Sequence, residues 1–159
     1  MVTLRARFVL DDCRRALEML EDEEDEHRWR VLWVAAVVLL RTVGDVLHKV
    51  DSRGNPRLAV QAATAFDRWK QRAYGDDIFQ DFIKKERDKV VHLYELNVYD
   101  SDTIAVAADS GSADLLGGNL YRPIVDGVWE GEDARDVLQA AIDWWDRELA
   151  VIEDQVLRH

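Results

Sequence analysis

Apolar residues recur at the spacing of an amphipathic α-helix over most of the chain. Only two prolines, Pro56 and Pro123, interrupt the sequence, which permits long helices. The predicted helices run, in chain order, from Leu4 or Asp11 to Glu21, Glu26 to Val50, Arg57 to Ala73, Ile78 to Leu96, and Asp133 to Leu157. The second helix is apolar on most sides through its middle, so we expect it at the centre of the fold.

Two of these helices carry specific predictions about the core. The apolar positions predicted for the first helix are Phe8, Ala16, Leu17 and Leu20. In the last helix, Trp144 and Trp145 are adjacent, so one indole is expected to face the core and the other to face elsewhere.

The helical pattern breaks between residues 97 and 130, a segment rich in Gly, Asp and Ser. It contains two β-like pieces, 103–107 and 120–125, with Gly117-Gly118-Asn119 between them as a turn signal. We therefore predict a β-hairpin-like or irregular excursion before the last helix. The fold class is accordingly all-α: a single domain over residues 1–159, built as an up-and-down bundle of about five helices.

Composition and charge narrow the class of protein. Hydrophobic residues make up 48% of the chain and charged residues 33%, as in ordinary globular domains. The single cysteine, Cys13, and the absence of a signal-peptide pattern favour a cytoplasmic protein. The longest apolar run, from Val31 to Leu40, is half the length needed to span a bilayer, so no membrane association is expected. A net charge of −11 argues against a general nucleic-acid binder but leaves room for a local basic site.

The fourth predicted helix holds the residues with the clearest chemical potential. On a helical wheel of about 100° per residue, Phe79, Phe82, Ile83, Val90 and Leu93 form one face, which should be the core face. Arg87, Asp88 and His92 fall on the opposite side, where Asp88 and His92, four residues apart, can hydrogen-bond. Glu86 falls near the core side. A buried carboxylate there needs a partner, for which Arg41, His48 and a backbone amide are the candidates.

An Arg and a His separated by four residues, late in a helix of a helical bundle, resemble the R-x4-6-H motif of HEPN domains, the higher-eukaryote and prokaryote nucleotide-binding superfamily. The residues before the motif, Phe82-Ile83-Lys84-Lys85-Glu86, and Tyr94-Glu95 after it add to the likeness. The resemblance implies a helical bundle that is often dimeric. Many members are metal-independent endoribonucleases, with the motif residues of two copies meeting in a cleft at the dimer interface.

Carried onto this sequence, the resemblance implies that Arg87 stabilises the scissile phosphate and that His92 acts as general base or acid on the ribose 2′-hydroxyl. Asp88 stands where the nucleases commonly have Asn. It would repel RNA phosphate, or it could orient His92. The implied activity requires no cofactor, and no histidine or cysteine shows metal-ligand spacing.

Two functions from different classes follow. The first is a HEPN-like endoribonuclease of toxin–antitoxin type, a homodimer whose partners would be an RNA substrate and an antitoxin-like protein. The second is a non-catalytic helical module that binds a protein partner or a small anionic ligand. The Arg87–His92 pair favours the first, whereas Asp88 and the acidic balance of the chain favour the second.

Overall fold

The computed structural model describes residues 3–71, 75–98, 103–107, 113–117 and 120–158, the two short ranges by their backbone alone. The helices are α1 (Arg5–Asp22), α2 (Glu26–Val46, continued by the π-helical turn Leu47–Asp51), α3 (Pro56–Lys70), α4 (Phe79–Lys84, Lys85–Asp88 and Lys89–Leu93 in unbroken succession) and α5 (Ala134–Arg158). The antiparallel strands β1 (Thr103–Ala107) and β2 (Ala113–Gly117) lie between α4 and α5. The predicted all-α fold is confirmed.

Local capping explains where α2 and α3 begin. The side chain of Asp25 accepts a hydrogen bond from the backbone amide of Arg28 at 2.9 Å. Asn55 does the same for the amide of Leu58 at 3.1 Å, and Pro56, whose ring fixes a helical φ, is the first residue of α3. The predicted starts are therefore accurate to one residue. The predicted end of α3, Ala73, lies outside the described residues, and the helix ends at Lys70.

Helix α2, with its π-helical continuation to Asp51, is long and apolar enough to cross a membrane, with a mean hydropathy of 1.7 over its most apolar 18 residues. The apolar run identified in the sequence, from Val31 to Leu40, covers only part of this apolar stretch. The core helix of a soluble protein has the same length and composition, and α2 packs against α1, α4 and α5. Its buried side chains are Trp29, Trp33, Ala36, Val37, Leu40 and Val43.

Aromatic side chains fill the space between α3, α4 and α5. Both indoles of the adjacent pair on α5 are buried, so the prediction that one of them faces outward is wrong. Trp144 Nε1 donates to Asp76 Oδ1 at 3.1 Å, and Trp145 Nε1 donates to the carbonyl of Leu40 at 2.8 Å. Because α5 contacts α1, α2, α3 and α4, positions about 100° apart on it both face protein.

Helix α1 corrects a second core prediction. Ala16, Leu17 and Leu20 are buried as predicted, but Phe8 is exposed. The buried residues of α1 follow alternating steps of four and three residues, and Phe8 lies two residues after one of them, on the opposite side. They are Ala6, Leu10, Cys13, Ala16, Leu17 and Leu20.

The segment between α4 and α5 differs from its predicted arrangement. β1 coincides with the predicted piece 103–107, but its partner is 113–117 rather than 120–125. Residues 118 and 119 of the predicted turn lie outside the described part of the chain. Pro123 cannot donate a ladder hydrogen bond. The 120–125 piece instead forms isolated bridges, Val98 with Ile124 and Pro123 with Asp133, which hold it against the ends of α4 and α5.

Arg122 anchors this returning segment to the bundle. Its side chain is fully buried, lies over the Trp29 ring at 4.6 Å and donates from Nη1 to Glu26 Oε2 at 2.6 Å. The backbone amide of Arg122 donates to Asp133, which also accepts from Arg135. Burial tends to raise the pKa of Asp133, but the hydrogen bonds from Arg135 and Arg122 outweigh it and hold the pKa below its ordinary value.

Burial of both indoles predicts that Trp144→Ala and Trp145→Ala each destabilise the protein, by about 3–5 kcal/mol. Each loses a large packed ring and an indole hydrogen bond. Leu157→Ala, at an exposed position on the same helix, is the control and should change the free energy of unfolding by less than about 0.5 kcal/mol. Urea denaturation measures all three. A near-neutral effect of either tryptophan variant would contradict the placement of that indole.

Candidate functional site

Packing of α4 against the core determines which of its side chains face outward. Phe79, Phe82, Ile83 and Val90 are buried as predicted. Leu93, predicted in the same face, is 64% exposed. The last turn, Lys89–Leu93, is π-helical. Since a π-helix has i→i+5 hydrogen bonds, each residue advances by less than the roughly 100° of an α-helix, and Leu93 no longer aligns with Val90 and Phe82.

The outward side of α4 lines an open groove of about 610 Å³. Two of the three predicted site residues, Asp88 and His92, line this groove, whereas Arg87 is not among its lining residues. The same π-helical turn reduces the angle between Arg87 and His92 below the roughly 140° expected for an α-helix, which places them closer to one side. The complete lining comprises Gln80, Asp81, Lys84, Lys85, Asp88, Lys89, His92 and Leu93.

Arg87 lies outside the groove lining but pairs with Asp88, which lines the groove. Arg87 Nη1 donates to Asp88 Oδ1 at 2.7 Å, with both side chains partly exposed. No hydrogen bond links Asp88 to His92 in the described part of the chain, where residues four apart do not stack in the π-helical turn as they would in an α-helix. Asp88 therefore pairs with the guanidinium of Arg87 and not with the exposed imidazole of His92.

The groove gathers most of the lysines of an acidic protein. Three of the five lysines of the chain, Lys84, Lys85 and Lys89, line it, and Arg87 and His92 belong to the same two turns. Sequence reasoning missed these lysines as site residues, although the run Lys84-Lys85-Glu86-Arg87-Asp88-Lys89 was visible. Lys89 Nζ lies 3.3 Å from Asp126 Oδ1, an ion pair at the edge of the groove. Asp81 and Asp88 line the groove as well, so it carries three ammonium groups and two carboxylates on a chain of net charge −11.

Glu86, on the opposite side of α4, is buried, with 2% of its surface exposed. None of the three partners expected from the sequence binds it. Its Oε1 accepts from Asn97 Nδ2 at 3.2 Å, and its Oε2 has no hydrogen-bond partner in the part of the chain that the structure describes. Arg41 pairs with Asp45 instead. Burial raises the pKa of Glu86, against the smaller lowering effects of Asn97 and the nearby lysines, because a charged carboxylate is poorly solvated there.

Asn97 connects α4 to the returning segment. Its Nδ2 also donates to the carbonyl of Asp126 at 2.9 Å, and its Oδ1 accepts from the Asp126 amide at 3.1 Å. Its backbone carbonyl accepts from Val125. Glu86 and Asn97 thus hold residues 125 and 126 beside the groove. Among the described residues, no group of three or more His, Cys, Asp or Glu side chains is arranged to hold a metal ion.

The raised pKa of Glu86 predicts a pH-dependent effect of Glu86→Gln. A raised folded-state pKa favours the folded protein at low pH, and this contribution is lost as pH rises from the ordinary value of 4.5 through the folded value. Glutamine keeps an acceptor for Asn97 and carries no charge. Thermal unfolding should show that the stability of the variant relative to the wild type increases as pH rises, by at most about 1.4 kcal/mol per pH unit.

Glu95→Gln, which removes an exposed carboxylate just beyond the same helix, measures the effect of removing one negative charge from this acidic chain. The raised pKa of Glu86 would be contradicted if the stability gained by Glu86→Gln did not exceed that gained by Glu95→Gln, or did not grow with pH.

No family model, no curated protein and no solved structure matches this chain. The resemblance of residues 82–95 to the R-x4-6-H motif therefore remains a likeness of sequence. Function has to be argued from the groove on α4 and the side chains that line it.

Proposed function

We propose that the chain is a HEPN-like, cytoplasmic, metal-independent endoribonuclease of toxin–antitoxin type, with its site on the outward side of α4. The observation that carries the proposal is the groove itself. In a protein of net charge −11, it joins Lys84, Lys85 and Lys89 to His92, whose exposed imidazole has no hydrogen-bond partner among the described residues. Phosphate is the anion of RNA, and lysine ammonium groups in such a surface neutralise it.

The reaction assigned to Arg87 and His92 is a phosphoryl transfer within the RNA strand. A base removes the proton from the ribose 2′-oxygen, which attacks phosphorus, and the 5′-oxygen leaves and takes up a proton, giving a 2′,3′-cyclic phosphate. His92 supplies the imidazole for one of these proton transfers. Arg87 stabilises the additional negative charge on the phosphate oxygens during the attack, once its guanidinium leaves Asp88.

A second copy of the chain would complete the site. One α4 presents one imidazole, whereas cleavage requires both a base and an acid. Two α4 helices facing each other would supply two copies of Arg87 and His92. Exposed apolar side chains close to the groove, Val91 and Leu93, support a covering surface of this kind because burying them is favourable. An antitoxin-like protein would then act by covering or separating the same face.

The alternative is a non-catalytic module that binds a protein partner or a small anionic ligand through the same groove. The specific observation in its favour is the Arg87–Asp88 pair at 2.7 Å. Asp88 satisfies the guanidinium that catalysis needs for phosphate and places a negative charge in the groove. Binding through the lysines alone requires neither His92 nor a free Arg87.

Metal-free RNA cleavage separates the two functions. In the presence of a chelator, His92→Ala and Arg87→Ala should each lower the cleavage rate by about 100-fold or more. Asp88→Asn should preserve or increase cleavage because it frees Arg87 and removes a charge that repels phosphate. His48→Ala and Arg53→Ala, at exposed positions away from α4, are the matched controls and should leave the rate unchanged.

RNA binding without cleavage by the wild type would favour the non-catalytic module, and cleavage unaffected by His92→Ala would exclude the assigned site. Sedimentation of the active protein tests the composite cleft: a dimer is expected at the concentrations that cleave RNA. Full activity from a monomer would contradict a site shared by two copies.

A further inference from the structure

The residue that ends α4 has an unusual backbone conformation. Tyr94 has a φ of 51°, in the left-handed region, and is the one residue other than glycine with a positive φ among the described residues. Its amide donates to the carbonyl of Val90, and the next amide, of Glu95, donates to the carbonyl of Lys89. Most helices that end in this way have glycine at the left-handed position, because a side chain there is strained.

Among the described residues, the tyrosine side chain makes no hydrogen bond, ion pair or ring contact that would offset this strain. Its surface is 63% exposed. In the part of the chain that the structure describes, its hydroxyl makes no hydrogen bond and its ring contacts no other aromatic ring. A strained residue with an unused side chain indicates a requirement other than stability.

The position of Tyr94 relates it to the groove. It lies two residues after His92, and the residue between them, Leu93, lines the groove. Lys89, which accepts the hydrogen bond that closes this end of the helix, lines the groove as well. An exposed tyrosine therefore follows directly, in the chain, the last residue that lines the groove, at the end of α4 that carries His92, although Tyr94 itself is not among the lining residues.

We propose that Tyr94 is the platform on which a base of single-stranded RNA stacks while Lys84, Lys85 and Lys89 hold the adjacent phosphates. The assignment rests on the proposed function of the same groove and adds to it the strandedness of the substrate. Cationic side chains beside an exposed aromatic ring are the combination by which proteins hold single strands, since every base offers a face for stacking. A base in a duplex is stacked on both sides and leaves no face for the ring.

The test compares two probes that cannot be cleaved, because neither has a free 2′-hydroxyl: a 2′-O-methyl uridine octamer and the abasic 2′-O-methyl ribose-phosphate chain of the same length. Tyr94→Ala should weaken binding of the octamer roughly tenfold and leave binding of the abasic chain unchanged. Tyr94→Phe should bind both like the wild type. Phe8→Ala, which removes an equally exposed ring from α1, is the matched control and should bind the octamer normally.

A thermal-stability measurement on Tyr94→Gly tests independently whether the tyrosine at this position destabilises the fold. This variant should have a higher Tm than the wild type, because glycine adopts the left-handed conformation without strain, yet it should bind the octamer as weakly as Tyr94→Ala. A lower Tm would mean that the ring contributes to the fold, and the assignment would be wrong.

The outcomes distinguish this inference from the proposed function. If Lys89→Ala weakens binding of both probes while Tyr94→Ala affects neither, the stacking role is overturned and phosphate binding by the groove stands. If the wild type binds neither probe, both are overturned. If Tyr94→Ala converts a dimer into a monomer in sedimentation, the ring belongs to a contact between copies, and the stacking role is overturned.

Discussion

The packing of Phe79 and Phe82 between rings from three other helices fixes the rotation of α4 about its own axis. Phe79 lies 5.3 Å from Trp69 of α3 and 5.7 Å from Trp144 of α5, while Phe82 lies 6.2 Å from Trp33 of α2. Because these rings are buried and packed against one another, α4 cannot turn about its axis without disrupting the core. The outward position of the lysines, Asp88 and His92 follows from this packing.

The same packing places a carboxylate in the interior. Glu86 lies one residue before Arg87 and is buried on the side away from the groove. Its hydrogen bond from Asn97 links α4 to residues 125 and 126 of the returning segment. A buried carboxylate destabilises the fold when it ionises, so stability depends on the protonation of Glu86.

The helices and most of the core could be predicted from the sequence because an amphipathic helix repeats its apolar residues at its own period. The errors arise where a residue depends on distant parts of the chain. Trp144 and Trp145 are both buried because α5 has neighbours on several sides. Leu93 is exposed because the last turn of α4 is π-helical, a feature without a sequence signal in single residues. The partner of β1 could not be chosen because pairing of strands is decided by contacts outside either strand.

Prediction of the site had the same limit. The wheel predicted Arg87, Asp88 and His92 on one side of α4, and in the structure Asp88 and His92 line the groove whereas Arg87 does not. It could not reveal that Asp88 pairs with Arg87 rather than with His92, because that choice depends on the local geometry of the last turns. The partner of Glu86 was missed because Asn97 reaches it from beyond the helix end, in a segment that carries no periodic pattern.

The central claim is that RNA binds on the outward side of α4, beside His92. A titration with non-cleavable single-stranded RNA, followed by the NMR signals of the four histidine imidazoles, tests it most directly. We predict that the His92 signals shift and saturate with the same Kd as RNA binding, while those of His48, exposed on another helix, do not move. Saturable RNA binding that leaves the His92 signals unchanged would contradict the account.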